Sequence, residues 1–340
     1  MSTSPVQSPF GVPVPQDRPL RIVFMGTPEF AVPTLRALID GPHDVIAVYT
    51  QPDRPRGRGR KVIPSPIKAV ALEHEIPVFQ PERMTSKEAV QQFRSENCDL
   101  AVVVAYGKIL RQRVLDVPPL GCINGHASLL PYYRGAAPIF WAMANGETES
   151  GITTMQMDAG MDTGPMLVRK SISIGPNEDV GSFHDRLSAL SAECMTETLE
   201  RLVAGTLTQT EQEHDLATHA RMIEKKDHWV NLEGSAQDAH NWIRASDPFP
   251  GSRVGLPNGK IMKLFGSRGI REDLQGTPGE LVEVAADSIC IACGEGAVEL
   301  SEIQMPGKKR VSVKQYLAGN KFELGTVFTG NPKPQTDSKS

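Results

Sequence analysis

Long apolar runs are missing from this chain of 340 residues. None approaches the roughly 18 residues needed to cross a bilayer, which argues against a helical membrane span. Cysteine is scarce. Cys98, Cys122, Cys194, Cys290 and Cys293 are scattered and odd in number, which fits a reducing compartment better than a disulfide framework. Cys290 and Cys293 have the spacing of a zinc or redox pair, yet no second pair exists and residues 288–293 read as a buried strand. Basic charge is not in excess: 36 Lys and Arg stand against 40 Asp and Glu, a net charge of −4. That excludes global coating of a nucleic acid, so any polyanion partner needs a local basic patch. The first apolar run, 21–25, ends at a single glycine, Gly26, with no G-x-G-x-x-G. A nicotinamide dinucleotide site is not expected, because its pyrophosphate needs the second glycine for close approach. Residues 1–19 are rich in Pro and Ser and lack a secretory apolar core. They are expected to be a disordered extension, as 331–340 is a polar tail. The expected location is the cytoplasm, with no membrane partner and no metal, and a monomer is the expected state.

What is present reads as two domains, the number the length favours. In the first, 20–205, the run 21–25, a helix bearing Leu35, Leu38 and Ile39, and a strand from Asp44 make a βαβ unit. Ser65-Pro66 predicts a helix start, Ser as cap and Pro at the first helical position. Thr85-x-x-Glu88 predicts a capping box opening another helix. Leu100 to Ala105 is six apolar residues and reads as a central strand. A long helix is expected from Asp179 to Ala204, stopped by Gly205. Residues 206–226 are polar and suit a linker. In 227–330, five short strands follow a helix from Ser235, with Pro257-Asn258-Gly259 as a hairpin turn. That pattern fits a small closed barrel.

The densest chemistry lies between Gly121 and Met166. Asn124 and His126 are two apart, so on an extended strand they share a face. An amide N–H can hold a developing oxyanion and an imidazole can carry a proton. Asp162, brought back by the fold, would orient that imidazole. Such a set suits acyl transfer. Ligands of open α/β sheets bind beyond the carboxyl ends of strands, which places Ala105-Tyr106-Gly107 beside this pair if the strands are neighbours. Residues 50–61 form a loop in which Arg54, Arg56, Arg58, Arg60 and Lys61 face one aspartate, Asp53. One-sided charge in an acidic protein points to phosphate, which arginine grips bidentately. Lys308, Lys309 and Arg310 form a second basic cluster.

The words around these residues are specific. Cys122-Ile123-Asn124-Gly125-His126-Ala127-Ser128-Leu129-Leu130-Pro131, Tyr133-Arg134-Gly135-Ala136-Ala137-Pro138-Ile139, Met155-Gln156-Met157-Asp158 and Asp162-Thr163-Gly164 together resemble the core of the folate-dependent formyltransferases. The resemblance runs from about 21 to 328. It implies a Rossmann-like, parallel-rich catalytic domain followed by an OB-like barrel that binds tRNA. The implied reaction is transfer of a formyl group from 10-formyltetrahydrofolate to methionine esterified to initiator tRNA. It further implies that Asn124, His126 and Asp162 are catalytic, and that Ser128, Leu129, Leu130 and Pro131 contact the folate. Ala105, Tyr106 and Gly107 would line the pterin pocket by backbone contacts, and the arginine loop would reach the acceptor stem. Four departures stand out: Arg56 replaces a common small residue, Gly125 a usual β-branched residue, Val230-Asn231-Leu232 an Ile-Asp-Trp type entry, and Asp247-Pro248-Phe249-Pro250 an Asn-Pro-Trp-Pro turn. Two rivals remain at this stage. One is a formyltransferase acting on a nucleotide-sugar or ribonucleotide amine; the other is a non-catalytic RNA-binding protein.

Overall fold

The computed structural model describes residues 6–56 and 61–330, without the side chains of residues 55, 56 and 61. The chain divides into two compact units. The first takes the chain up to Pro138 together with Ser150–Ile172 and His184–Ala220; the second takes Ile139–Glu149, Ser173–Phe183 and the chain from Arg221 on. Among the described residues no helix is long and apolar enough to cross a membrane.

In chain order the elements are β1 (Arg21–Gly26), α1 (Val32–Ile39), β2 (Asp44–Tyr49), β3 (Arg54–Arg56), β4 (Lys61–Ile63), α2 (Pro66–Glu73), β5 (Val78–Phe79), α3 (Lys87–Ser95), β6 (Leu100–Val104), α4 (Gln112–Leu115), β7 (Cys122–His126), β8 (Arg134–Gly135), α5 (Pro138–Ala144), β9 (Glu149–Gln156), β10 (Met166–Ser173), α6 (Val180–Ala204) and β11 (His219–Ala220). The later ones are α7 (Ala236–Ala245), β12 (Ser252–Gly255), β13 (Ile261–Arg271), β14 (Leu281–Val284), β15 (Ile289–Ala292), β16 (Ala297–Gln304), β17 (Val311–Ser312) and α8 (Val313–Leu317).

The first unit is built on a seven-stranded sheet of order β10-β9-β7-β6-β1-β2-β5. β1 pairs in parallel with β2 and β6, and β6 with β7, whereas β9 runs antiparallel to β7. Beyond Arg21, β1 is buried and, like β6, carries no polar side chain, because both faces of these strands are covered. The chain first builds outward from β1 to β2 and β5, then returns to the other side of β1 with β6. That reversal opens a crevice at the carboxyl ends of β1 and β6. Ser65 caps α2 as expected, accepting from Lys68 N with Pro66 next in line. The cap of α3 is Ser86 and not Thr85: its Oγ accepts from Ala89 N at 3.1 Å, so the helix starts one residue later than the Thr85–Glu88 box implies. β6 stops at Val104, one residue short of the expected end, because Ala105 turns to a left-handed φ of 47°. The segment before Arg21, expected to be disordered, is packed from Val6 onward. Val14 is buried, Gln16 Nε2 donates to Val203 O at 3.2 Å, and Arg18 pairs with Asp99 at 2.6 Å.

The second unit holds an antiparallel sheet of order β12-β13-β16-β15-β14, with β17 beside β16. The five expected strands are all present. β12 and β13 flank the Asn258-Gly259 turn, where Gly259 takes φ 75°. Residues 325–329 join the two edges: Thr329 exchanges hydrogen bonds with Gly255 at the end of β12, and Phe328 N donates to Gly279 O before β14. α7 lies over β13 and β16 and adds Ala236, Ala239 and Ile243 to a core of Val254, Met262, Leu264, Ile291 and Leu300. Cys290 and Cys293 lie in this unit, fully buried. Burial pushes their thiols up to about 12 and about 11, away from the thiolate that metal or redox chemistry needs.

Candidate active site

β7 sets the site. Alternation along the strand puts Cys122, Asn124 and His126 on one face and Ile123 and Gly125 on the other. Pairing of Asn124 with Val103 on β6 and with Met155 on β9 fixes its height in the sheet. Gly125 looks toward α6. A Cβ there would stand 3.1 Å from Ser191 Oγ and 3.4 Å from Val104 Cγ2, so the neighbouring side chains already fill the volume of a larger residue.

Asn124 and His126 are 9% and 6% exposed. His126 Nε2 lies 2.9 Å from the carbonyl oxygen of Tyr133 and donates to it in the Nε2-protonated tautomer. Its Nδ1 faces Asp162 Oδ2 at 3.7 Å, the range of an ion pair and beyond a hydrogen bond. Asp162 is fixed from another side: its Oδ2 accepts from Gly135 N at 2.8 Å. The Asn124 amide has no hydrogen bond to any described residue. The fold therefore brings together the three side chains singled out in the sequence, although Asp162 is 36 positions beyond His126.

Asp162 holds a left-handed φ of 55°, an uncommon state for a residue with a Cβ. The support comes from outside the motif. Gln212 Nε2 donates to the carbonyls of Asp162 and Gly164 at 2.9 and 2.7 Å, and its Oε1 accepts from Arg134 Nε and Nη2 at 3.0 and 2.7 Å. Thr218 Oγ1 accepts from Tyr133 N at 2.8 Å, and β11 pairs with β8. Thus 212–220, within the stretch expected to be a linker, braces both arms of the site. Gly135 is required at the crossing, since a Cβ there would stand 2.7 Å from Ala220 O. Arg134, Gln212 and Thr218 escaped the sequence reading because they meet across about eighty residues. The only local signal was an arginine, Arg134, inside an otherwise apolar motif. Asp158, not Asp162, caps the 158–164 turn, accepting from Gly160 N and Thr163 Oγ1.

Of the residues expected to contact folate, Ser128, Leu130 and Pro131 are buried and Leu129 is half-buried. Ser128 Oγ donates to Tyr132 O, and Leu130 N donates to Thr153 Oγ1. The Ser128 hydroxyl and the Leu130 N–H are thus occupied within the protein. Ala105 and Gly107 are exposed beyond β6, while the Tyr106 ring is buried and its carbonyl accepts from Thr27 Oγ1 and Gln51 Nε2. What 105–107 offer a ligand is backbone.

The basic stretch is more ordered than a loop: β3 and β4 pair antiparallel, Arg54 opposite Ile63. Arg58 and Arg60 lie outside the described residues, as do the side chains of Arg56 and Lys61. Arg54 is exposed. The hairpin's base is tied down. Lys68 Nζ donates to Asp53 Oδ2 at 2.5 Å and to Gln80 Oε1 at 2.8 Å, and Gln80 Nε2 donates to Asp53 Oδ1 at 2.8 Å. The Lys68 and Gln80 bonds hold the Asp53 carboxyl below the ordinary carboxylate range. In the second unit Lys308 and Lys309 are exposed on one turn. Arg310 is turned inward, pairing with Asp247 at 2.5 Å and with Glu302, over the Phe265 ring.

A sheet with an amide, an imidazole and a carboxylate gathered near its carboxyl edge defines a candidate group-transfer site, and the comparisons agree. Residues 20–199 match the formyl transferase family, and residues 222–321 match the formyl transferase C-terminal domain. The chain belongs to the formyl transferase family. It is 52% identical over 306 residues to the methionyl-tRNA formyltransferase of Geobacter metallireducens, covering 90% of this chain and 97% of that one. It is 51% identical over 307 residues to the same enzyme of Geobacter sulfurreducens, covering 90% and 96%. The fold also matches the crystal structure of WlaRD, a sugar 3N-formyl transferase, with a TM-score of 0.62 at 17% identity over 83% of this chain and 96% of that one.

Proposed function

We propose that this protein transfers the formyl group of 10-formyltetrahydrofolate to the amino group of methionine esterified to initiator tRNA. The observation that carries this reading is Asn124, a largely buried residue beside His126 whose amide has no hydrogen-bond partner among the described residues. The amide itself is not sealed off as the Tyr49 and Tyr106 hydroxyls are, so it opens to the crevice and is free to donate to an incoming substrate. The exposed backbone at Ala105 and Gly107 and the half-buried Leu129 beyond the strand ends fit a flat pterin edge.

The folate supplies an activated formyl carbonyl. As the methionyl amine adds to the formyl carbon, charge builds on the carbonyl oxygen, and Asn124 donates to it; one such donor contributes about 3–4 kcal/mol. His126, with Nε2 donating to Tyr133 O, takes the proton of the attacking nitrogen at Nδ1 beside Asp162 and returns it from there to the departing folate nitrogen. Its ring is oriented by the Tyr133 carbonyl at one nitrogen and faces the Asp162 carboxylate at the other. The C–N bond to the amine forms, the C–N bond to the folate breaks, and one proton changes nitrogen. The basic hairpin and the second unit favour tRNA over a sugar or ribonucleotide amine, because neither smaller acceptor needs an arginine-rich arm. Five cysteines, all free and buried, suit the cytoplasm. The test is a formylation assay with labelled 10-formyltetrahydrofolate, offering methionyl initiator tRNA, free methionine or a sugar amine. Label on the tRNA alone is expected; label on the sugar amine alone would move the reading to the other acceptor class.

A further inference from the structure

The second unit contains a like-charge pair that its own fold does not explain. Arg253 on β12 and Lys263 on β13 stand directly opposite each other in the antiparallel register. Val254, Met262 and Leu264 beside them enter the core, so this pair faces away from it. Like charges directly opposite destabilise a sheet. A sheet selected for stability alone would carry a carboxylate at one of the two positions. Among the described residues Arg253 has no ion pair or side-chain hydrogen bond. The bond that Lys263 Nζ makes is to a carbonyl, Pro250 O, at 2.7 Å. Trp229 bridges Arg253 from the other side and brings in His228, whose Nδ1 is buried without a partner. Burial lowers the His228 pKa, and the Arg253 and Lys263 charges lower it further against the opposing effect of Asp227. Burial, then Arg253, also lowers that of Lys263. The aromatic ring of Phe249 is 82% exposed one residue before Pro250, the carbonyl that Lys263 holds.

We propose that Arg253 and Lys263, backed by His228, bind a backbone phosphate of the RNA substrate, with the Phe249 ring available to stack on a base. The proposal rests on the tRNA reading above. Glu302 and Asp247 on this face are taken up by Arg310, so a phosphate supplies the negative charge that Arg253 and Lys263 do not find among the described residues. Arginine meets it with a two-pronged fork and lysine with a point charge. An exposed aromatic beside a basic pair is the arrangement single-stranded or loop bases use.

Binding of methionyl initiator tRNA is measured against salt concentration for the full-length wild type and for Arg253→Glu, Lys263→Gln and Phe249→Ala. Arg253→Glu converts the pair into a cross-strand ion pair. It is expected to raise Tm by about 1–3 °C while weakening tRNA affinity by about tenfold or more and flattening the slope of log K against log salt by about 1. Lys263→Gln moves affinity and slope the same way by less. Phe249→Ala weakens binding severalfold at the wild-type slope. The loss is expected in KM for the tRNA, in step with the loss of affinity. Wild-type affinity and slope in Arg253→Glu would overturn the proposal, as would a fall in Tm that tracks the loss of binding. Wild-type transfer to tRNA is assayed alongside: no transfer by the wild type sinks the substrate reading, whereas transfer with unchanged Arg253→Glu binding sinks the phosphate site alone.

Discussion

Asn124 in the first unit and Asp247 in the second are both buried polar side chains, 9% and 3% exposed, and their surroundings differ in kind. Asp247 is saturated: it takes both arms of the Arg310 guanidinium and the N–H of Gly266. His240 nearby is equally complete, with Ser267 Oγ at Nδ1 and Pro176 O at Nε2, each at 2.8 Å. Asn124 has none of this, and His126 meets its carboxylate only at 3.7 Å. Burying polar groups costs stability unless hydrogen bonds offset it. Where the offset is complete, the group serves the fold. At Asn124 no bond inside the described residues offsets the burial, which leaves its amide free for the proposed substrate contact.

Substitutions at the two kinds of position should therefore separate activity from stability. The largest effect is expected at His126. His126→Ala should lower kcat/KM by about a thousandfold or more with Tm near wild type, and Asn124→Ala by about 10²–10³, measured by formyl transfer alongside thermal unfolding. Asp247→Ala should do the reverse. Leaving Arg310 without its main partner should cost about 3 kcal/mol of stability in denaturant unfolding, with the folded fraction still turning over. Equal stability loss in Asn124→Ala and Asp247→Ala would break the comparison. Gln212→Leu lies between them. It removes the brace on the left-handed Asp162 without touching substrate, so kcat should fall about tenfold to a hundredfold while the affinity for tRNA holds. The smallest effect is at His240. Burial lowers its pKa below the ordinary 6.5. The unfolded chain therefore takes up the proton first, and stability contributed by neutral His240 is lost as pH falls through about 6.5 toward the folded-state value. His240→Gln should flatten the fall of Tm with falling pH in that window; an unchanged profile would remove His240 as its source.

Much of the frame was legible because it depends on near neighbours. The apolar runs of β1 and β6, the Ser65-Pro66 helix start and the Asn258-Gly259 hairpin need only local sterics and periodicity. The Thr85/Ser86 error has the same origin. Two adjacent hydroxyl residues both offer a cap, and the register of α3, with Ala89, Val90 and Phe93 buried, chooses between them. The three site side chains were legible as chemistry, and the Asn124–His126 pairing as geometry. The Arg134–Gln212–Asp162 chain was not, because a buried arginine paired with an amide has no sequence spacing to betray it. Arg310 misled for the opposite reason: within a run of three basic residues nothing local shows that one of them has turned inward to Asp247 and Glu302.

By itself, then, the sequence determined the order and type of the elements, the strand face shared by Asn124 and His126, and the family. All follow from periodicity, capping and contiguous motifs, whose physics spans a few residues. Tertiary structure alone decided which polar groups are satisfied. It gave Asp162 to Gly135 and Gln212, closed Arg310 onto Asp247, set Arg253 against Lys263, and left Asn124 unpaired. Hydrogen bonds and charges act over a few ångströms of space, and only the folded chain sets which distant residues lie within that reach.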